Sequence, residues 1–198
     1  MTPARPAGRP RRSSRATLEE AAAELFLENT YAATTVEQIA QRAGVSRATF
    51  FNYFASKADL LWAGLDDTLR AFGDALSSVG PAGAPVDGVV DALIAAACSR
   101  GVGWLPLALT QHEVMGLGSD VPGEGVARAA PLVDPVAQAL ARASGRRASV
   151  APVRIVIAAA TAAAVVAWAG DGVGRGPLED AVRRALDPLR TALAALLA

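Results

Sequence analysis

Three features of this sequence predict an all-α protein. Ala accounts for 46 of 198 residues while aromatics make up 5%, and Ala is the best helix former and a poor strand former. Apolar residues recur three and four positions apart over long stretches, the spacing of one helix face. Gly and Pro cluster between those stretches, where they end helices. With 52% apolar and 19% charged residues, the chain can build a core and is not globally disordered. The expected architecture is a small N-terminal three-helix domain followed by a larger helical domain, about nine helices in total.

Composition removes several function classes. A formal net charge of zero excludes holding nucleic acid by bulk charge alone, but leaves room for a local basic patch. Residues 1–18 hold Arg5, Arg9, Arg11, Arg12 and Arg15 and no acid, and Pro3, Pro6, Gly8 and Pro10 make residues 1–13 a disordered basic arm. The only Cys, Cys98, rules out an internal disulfide framework and a Cys-rich zinc site. The only His, His112, leaves a single candidate base for a catalytic triad and makes a His-rich metal site improbable. No cofactor and no metal are expected. No apolar stretch follows the basic arm, so no signal peptide is visible and a cytoplasmic protein is expected. Val150 to Gly170 is almost entirely apolar, but Ala is its commonest residue and it carries Arg154 near one end. A buried or interface helix suits it better than a membrane span, which needs about 20 strongly apolar residues.

The first helix is expected from Ser14 to Asn29, where Leu18, Ala22, Leu25 and Phe26 line one face. Thr34 with Glu37, or Thr35 with Gln38, can form a capping box for a second helix with Val36, Ile39, Ala40 and Ala43 on its apolar side. Gly44 is a natural helix end. Ser46 can cap a third helix from Arg47 to Phe54. Two short helices joined by a Gly turn, after a longer helix, describe either a helix-turn-helix or an ordinary helical hairpin. On the third helix Ala48, Phe50, Phe51 and Phe54 supply apolar surface, while Arg47, Thr49, Asn52 and Tyr53 supply polar tips. Such tips can reach base edges in a major groove about 12 Å wide.

These residues also resemble a known family. Thr34-Thr35-Val36-Glu37-Gln38-Ile39-Ala40, Ala43-Gly44-Val45-Ser46, Thr49-Phe50-Phe51-Asn52-Tyr53-Phe54 and Ser56-Lys57-Ala58-Asp59-Leu60-Leu61 look like the DNA-binding region of the tetracycline-repressor (TetR) family, over residues 14–62. The resemblance implies a three-helix core of Ile39, Ala40, Val45, Phe50 and Phe54. It implies phosphate contacts at Thr35, Ser46, Tyr53 and Lys57, and groove-facing positions at Arg47, Ala48, Thr49, Phe51 and Asn52. Lys57 is the only Lys beside 18 Arg. It reads either as a point charge meeting a phosphate or as a solvated surface residue. Phe51 departs from the family's usual Tyr, which leaves open whether it or Phe50 belongs to the core. After such a domain the Arg arm can enter a minor groove, attract phosphates without specificity, or remain free.

A DNA-binding domain over residues 14–60 leaves residues 61–198 as a helical effector-binding and dimerisation domain. A fourth helix is expected from Ser56, capped by the Ser-x-x-Asp spacing to Asp59, to about Leu76. A loop follows over residues 77–87, and then helices over Asp87–Arg100 and Trp104–Met115. A Gly-rich loop is expected over Gly116–Gly125. Another helix lies within Val126–Ser144, interrupted by Pro131 and Pro135, with Asp134-Pro135 as a restart. Leu178, Val182, Ala185, Leu189, Ala192 and Leu196 follow heptad spacing, with Pro188 as an interruption. Together with the apolar helix before them they suit a homodimer interface over residues 149–197, or else two core helices of a monomer. Trp62, Phe72, Cys98, Trp104, His112, Met115 and Trp168 are candidate linings of an apolar ligand cavity, or plain core filling.

No phosphate loop, dinucleotide Gly motif, metal-binding His pair or Gly-x-Ser-x-Gly occurs, so an enzyme is not expected. The sequence points to a dimeric regulator that binds a palindromic operator in double-stranded DNA. It is expected to be a repressor released by a small hydrophobic effector. A ligand-independent repressor or an architectural DNA-binding protein is the alternative.

Overall fold

The computed structural model describes residues 14–81, 84–98, 108, 111–118, 121–145, 183, 184, 187, 190 and 191. The basic arm, Trp104, Trp168, the apolar stretch Val150–Gly170 and nearly all of the expected dimer interface lie outside these residues. Among the described residues there is no strand, so the all-α class holds. The expected total of about nine helices includes stretches that are not described.

The chain forms two compact units. One runs through Leu61 and also contains Val114–Leu117; the other comprises Trp62–Glu113 and the chain from Gly118 onward.

In the first unit, α1 (Ser14–Asn29) buries Leu18, Ala21, Ala22, Leu25 and Phe26, the face its spacing predicts. The short α2 (Val36–Arg42) adds Ile39 and Ala40, and α3 (Arg47–Phe51) adds Phe50. Phe54 is also buried, its ring centroid 5.8 Å from that of Phe50. The third helix is shorter than the expected Arg47–Phe54. At Tyr53 the backbone bonds to Phe50 three residues back, at 3.0 Å, so the chain tightens into a turn while still delivering Phe54 to the core.

α4 (Lys57–Leu76) begins in the first unit and continues into the second. Ser56 caps it as expected, its Oγ accepting from the Asp59 amide at 3.1 Å. In the second unit, α5 (Pro85–Cys98) starts two residues earlier than the sequence suggests, because Pro85 takes the first helical position, where its missing N–H costs nothing. Phe72 and Leu76 of α4, Val86, Val90, Ile94 and Ala96 of α5, and Val136, Ala137, Ala139 and Leu140 of α7 (Val133–Ser144) form one apolar core.

Three expectations need correction here. The loop expected over Gly116–Gly125 contains the start of a helix, α6 (Val121–Ala129). Pro122 suits a first turn, Glu124 favours the helix N-terminus, and Arg128 ties α6 to Asp66 of α4 at 2.6 Å. Residues 111–115, expected as the end of a helix, form turns instead. Pro131 does interrupt, in a 3-10 segment (Ala130–Leu132) between α6 and α7. Asp134 does not cap the restart; α7 begins at Val133 after Leu132, which makes no side-chain cap bond.

Among the described residues, no helix is long and apolar enough to cross a membrane. Nor does any group of three His, Cys, Asp or Glu there suit a metal ion.

Candidate nucleic-acid interface

The connection between α2 and α3 is fixed at both ends by its own residues. Thr35 and Gln38 form the capping box: Thr35 Oγ1 accepts from the Gln38 amide at 3.2 Å, and the Thr35 amide donates to Gln38 Oε1 at 2.7 Å. Of the two pairings the sequence allows, this one forms. Thr34 is freed for another task, and its buried hydroxyl shares its proton between the Leu25 and Thr30 carbonyls at 3.2 and 2.8 Å. At the other end, Gly44 adopts φ +69°. The Val45 amide then reaches the Ala40 carbonyl at 2.9 Å and the Gly44 amide the Gln41 carbonyl at 3.1 Å. These two bonds make a Schellman closure, and the left-handed backbone it needs is open to Gly without strain. Ser46 then starts α3, its Oγ accepting from the Thr49 amide at 3.0 Å and lying 2.8 Å from Thr49 Oγ1.

This frame exposes most of the residues the sequence assigns to DNA. Arg47, Ala48, Phe51, Asn52 and Tyr53 are exposed, with Thr35 and Ser46 exposed at the two helix starts. Thr49 is half-buried. The choice between the two Phe residues is settled: Phe50 is fully buried and Phe51 is 46% exposed. Arg47 is 64% exposed; its Nε lies 3.1 Å from a carboxylate oxygen of Glu37, and its guanidinium carbon 5.4 Å from the centre of the Phe51 ring.

Lys57 is placed differently from a free point charge. Its Nζ donates to the carbonyls of Tyr31 and Thr34 at 2.6 and 2.7 Å and sits 4.2 Å from the centre of the Tyr31 ring. Partial burial pulls its pKa below the ordinary lysine value. An ammonium has three donors, of which the two carbonyls take two.

The end of α1 is held by a segment from far along the chain. Thr30 has φ +70°, the one non-Gly residue with positive φ among the described residues. The following amide, of Tyr31, donates to the Met115 carbonyl at 2.7 Å, and Met115 is fully buried. Met115 is thus set in the first unit. Nothing in the sequence marks this. Glu37 is likewise visible in sequence only as a possible capping residue, because its partner Arg47 lies on a different helix.

The other ligand candidates divide. Trp62 is buried in the second unit, with its indole N–H donating to Glu124 at 3.2 Å and the Arg128 guanidinium 5.0 Å from its ring centre. Phe72 belongs to the apolar core. His112 lies in the turn that follows Gln111, and Cys98 closes α5.

A capped three-helix unit with a Gly turn and an exposed, partly basic third helix defines a helix-turn-helix DNA-binding protein. Residues 18–63 match the family described as bacterial regulatory proteins, tetR family. No protein of curated function matches the chain. Among solved structures, it is similar to FadR of Thermus thermophilus, a TetR-family transcriptional repressor solved in complex with lauroyl-CoA. The two are 24% identical over 88% of this chain and 92% of that one, with a TM-score of 0.51. It is also similar to NalD, the secondary repressor of the MexAB-OprM multidrug efflux pump in Pseudomonas aeruginosa, with 22% identity over 89% and 93% of the two chains and a TM-score of 0.49.

Proposed function

We propose that this chain is a dimeric repressor that binds a palindromic operator and leaves it when a small, largely apolar molecule occupies its second unit. The observation that carries the DNA half is the rigid turn from Thr35 to Ser46, capped on both sides, beyond which Arg47, Ala48, Asn52 and Tyr53 stand exposed on one short element. Exposed Arg and Asn at the start of such an element have the reach and donors to contact base edges, while Thr35, Ser46, Tyr53 and Lys57 are the phosphate candidates. Thr35 uses an oxygen lone pair for capping and keeps its hydroxyl proton for another acceptor, and Ser46 can do the same when Thr49 Oγ1 is the donor in their 2.8 Å contact. The decisive test is binding of the purified full chain to a duplex selected from its own promoter region. A triple Ala variant at Arg47, Asn52 and Tyr53 should lose that binding; undiminished binding would overturn the DNA reading.

Dimerisation through residues 149–197 is proposed from the heptad pattern alone. It places two reading heads on half-sites one helical turn, or a multiple of it, apart. Light scattering should show a dimer, and Glu at both Leu189 and Leu193 should yield monomers that bind DNA poorly, because those charges would be buried without partners.

The effector site is proposed in the second unit around Trp62 and Phe72, with Cys98, Trp104, His112 and Trp168 as further candidates and Met115 left out. Acyl-CoA compounds are sensible first probes, since the similar Thermus repressor is in complex with lauroyl-CoA. Occupancy near Trp62 should change Trp fluorescence, and coupled release requires the ligand to favour the DNA-free state. A ligand that quenches Trp and leaves operator affinity unchanged would favour the ligand-independent alternative.

A further inference from the structure

The contact between Glu37 and Arg47 is made in a particular way. Glu37 lies in the first turn of α2 and Arg47 opens α3. The carboxylate oxygen meets Nε of the guanidinium at 3.1 Å, and the Phe51 ring lies 5.4 Å from the guanidinium carbon. A guanidinium met at Nε by an acid and faced by an aromatic ring is biased toward one orientation of its fork. Its two Nη nitrogens, at the far end of the planar fork, remain in the geometry that guanine O6 and N7 accept together in a major groove.

We propose that Glu37, Arg47 and Phe51 form a guanine reader, in which Arg47 contacts one guanine per half-site and Glu37 with Phe51 fixes the direction of its fork. The inference rests on the reading of α3 as the groove-facing element. It deepens that reading by naming a base and by giving Glu37 a role, although the carboxylate itself would be repelled by DNA. Glu37 is therefore a positioning residue with two opposed effects. It lowers affinity for every duplex through charge repulsion, and it raises the preference for guanine by aiming Arg47. A residue that served only to stabilise the fold would repel the duplex as well, but it would leave the preference for guanine unchanged. Both side chains are more than half exposed, 64% for Arg47 and 59% for Glu37, so substitutions at either leave the core of the unit intact.

The experiment is selection from a palindromic duplex library by the full chain, followed by titration of the selected duplex, a random duplex and a duplex carrying 7-deazaguanine, all at one fixed salt concentration. The wild type should select one guanine per half-site and lose about fivefold to a hundredfold in affinity when that base is replaced, the discrimination that a bidentate pair supplies. Loss of N7 should weaken wild-type binding and leave Arg47→Ala unaffected. Arg47→Lys keeps the charge without the fork and should lose the preference as Arg47→Ala does. Glu37→Gln should bind random duplex more tightly than the wild type while its guanine preference falls by about threefold or more, and it should have no effect on preference in the Arg47→Ala background. A Glu37→Gln chain with wild-type preference would overturn the positioning role. A wild-type operator whose bases are indifferent to Arg47 would overturn the guanine reader while leaving operator binding intact. A wild type that binds no duplex even at low salt would overturn the DNA reading itself.

Discussion

The Lys57 ammonium donates to the Thr34 carbonyl at 2.7 Å and to that of Tyr31 at 2.6 Å, so the first residue of α4 ties down the link between α1 and α2. Hydrogen bonds from a charged donor to carbonyls contribute about 1.5–3 kcal/mol each in favourable settings. Lys57→Met should therefore lower the stability of the first unit by roughly 1–3 kcal/mol, measured by hydrogen exchange at the amides of α1 and α2. If Lys57 also meets a phosphate, the slope of log affinity against log salt should fall by about 1 in the fraction that remains folded.

Phe50 and Phe51 are adjacent and should respond oppositely. Phe50 is fully buried and packs against the rings of Phe51 and Phe54 at 5.3 and 5.8 Å. Phe50→Ala should cost about 3–5 kcal/mol of folding stability. Phe51→Ala should leave the thermal midpoint nearly unchanged and, on the proposed groove-facing role of α3, weaken operator binding, since about half of Phe51 is exposed. Chemical denaturation and duplex titration on both variants separate the two effects.

Thr30 holds a left-handed backbone that costs a β-branched residue about 1–2 kcal/mol. It faces Gly116, itself at φ +64°, where an added Cβ would lie 3.3 Å from the Thr30 Cβ. Gly116→Ala should destabilise the first unit by about 1–2 kcal/mol, through both the backbone and the close contact. Thr30→Gly removes the facing methyl and the strain together, so it should recover much of that loss in the double variant. A denaturation series on the four proteins tests this coupling.

The clamp from Arg42 to Glu24 and Glu28, at 3.1 and 2.8 Å, gives a pH signature. The hydrogen bond from Arg42 holds the Glu28 carboxyl below the usual value of 4.5. A lowered folded pKa means stability that is present above 4.5 and lost as pH falls through the folded value. Arg42→Gln should thus show a small drop in thermal midpoint at neutral pH that vanishes in acid. Both groups are exposed, so added salt should shrink the effect as well.

Local signals in the sequence reveal the elements that depend on neighbours along the chain. The caps at Thr35 and Ser46, the Gly44 closure, the Ser56 cap and the buried face of α1 all follow from residues within a few positions of each other. Boundaries that depend on distant partners do not. α6 begins inside a Gly-rich stretch that reads as a loop, because Arg128 finds Asp66 on α4, 62 positions away. Lys57 reads as a surface charge because its two carbonyl acceptors lie 23 and 26 positions earlier. The Glu37–Arg47 pair is invisible for the same reason: the two residues meet only once the Gly44 turn has folded. Met115 has the composition of a ligand-lining or core residue, and nothing nearby says in which unit it will be buried.

That placement of Met115 bears on how such proteins can be recombined. Since Val114–Leu117 completes the unit that ends at Leu61, the reading head is not a cassette with a single seam. A chimaera that keeps residues 14–61 and takes its remaining helices from another regulator would leave the Tyr31 amide without the carbonyl of Met115. The graft needs two junctions on either side of that tetrapeptide, or a donor whose own loop supplies an equivalent acceptor to the end of α1.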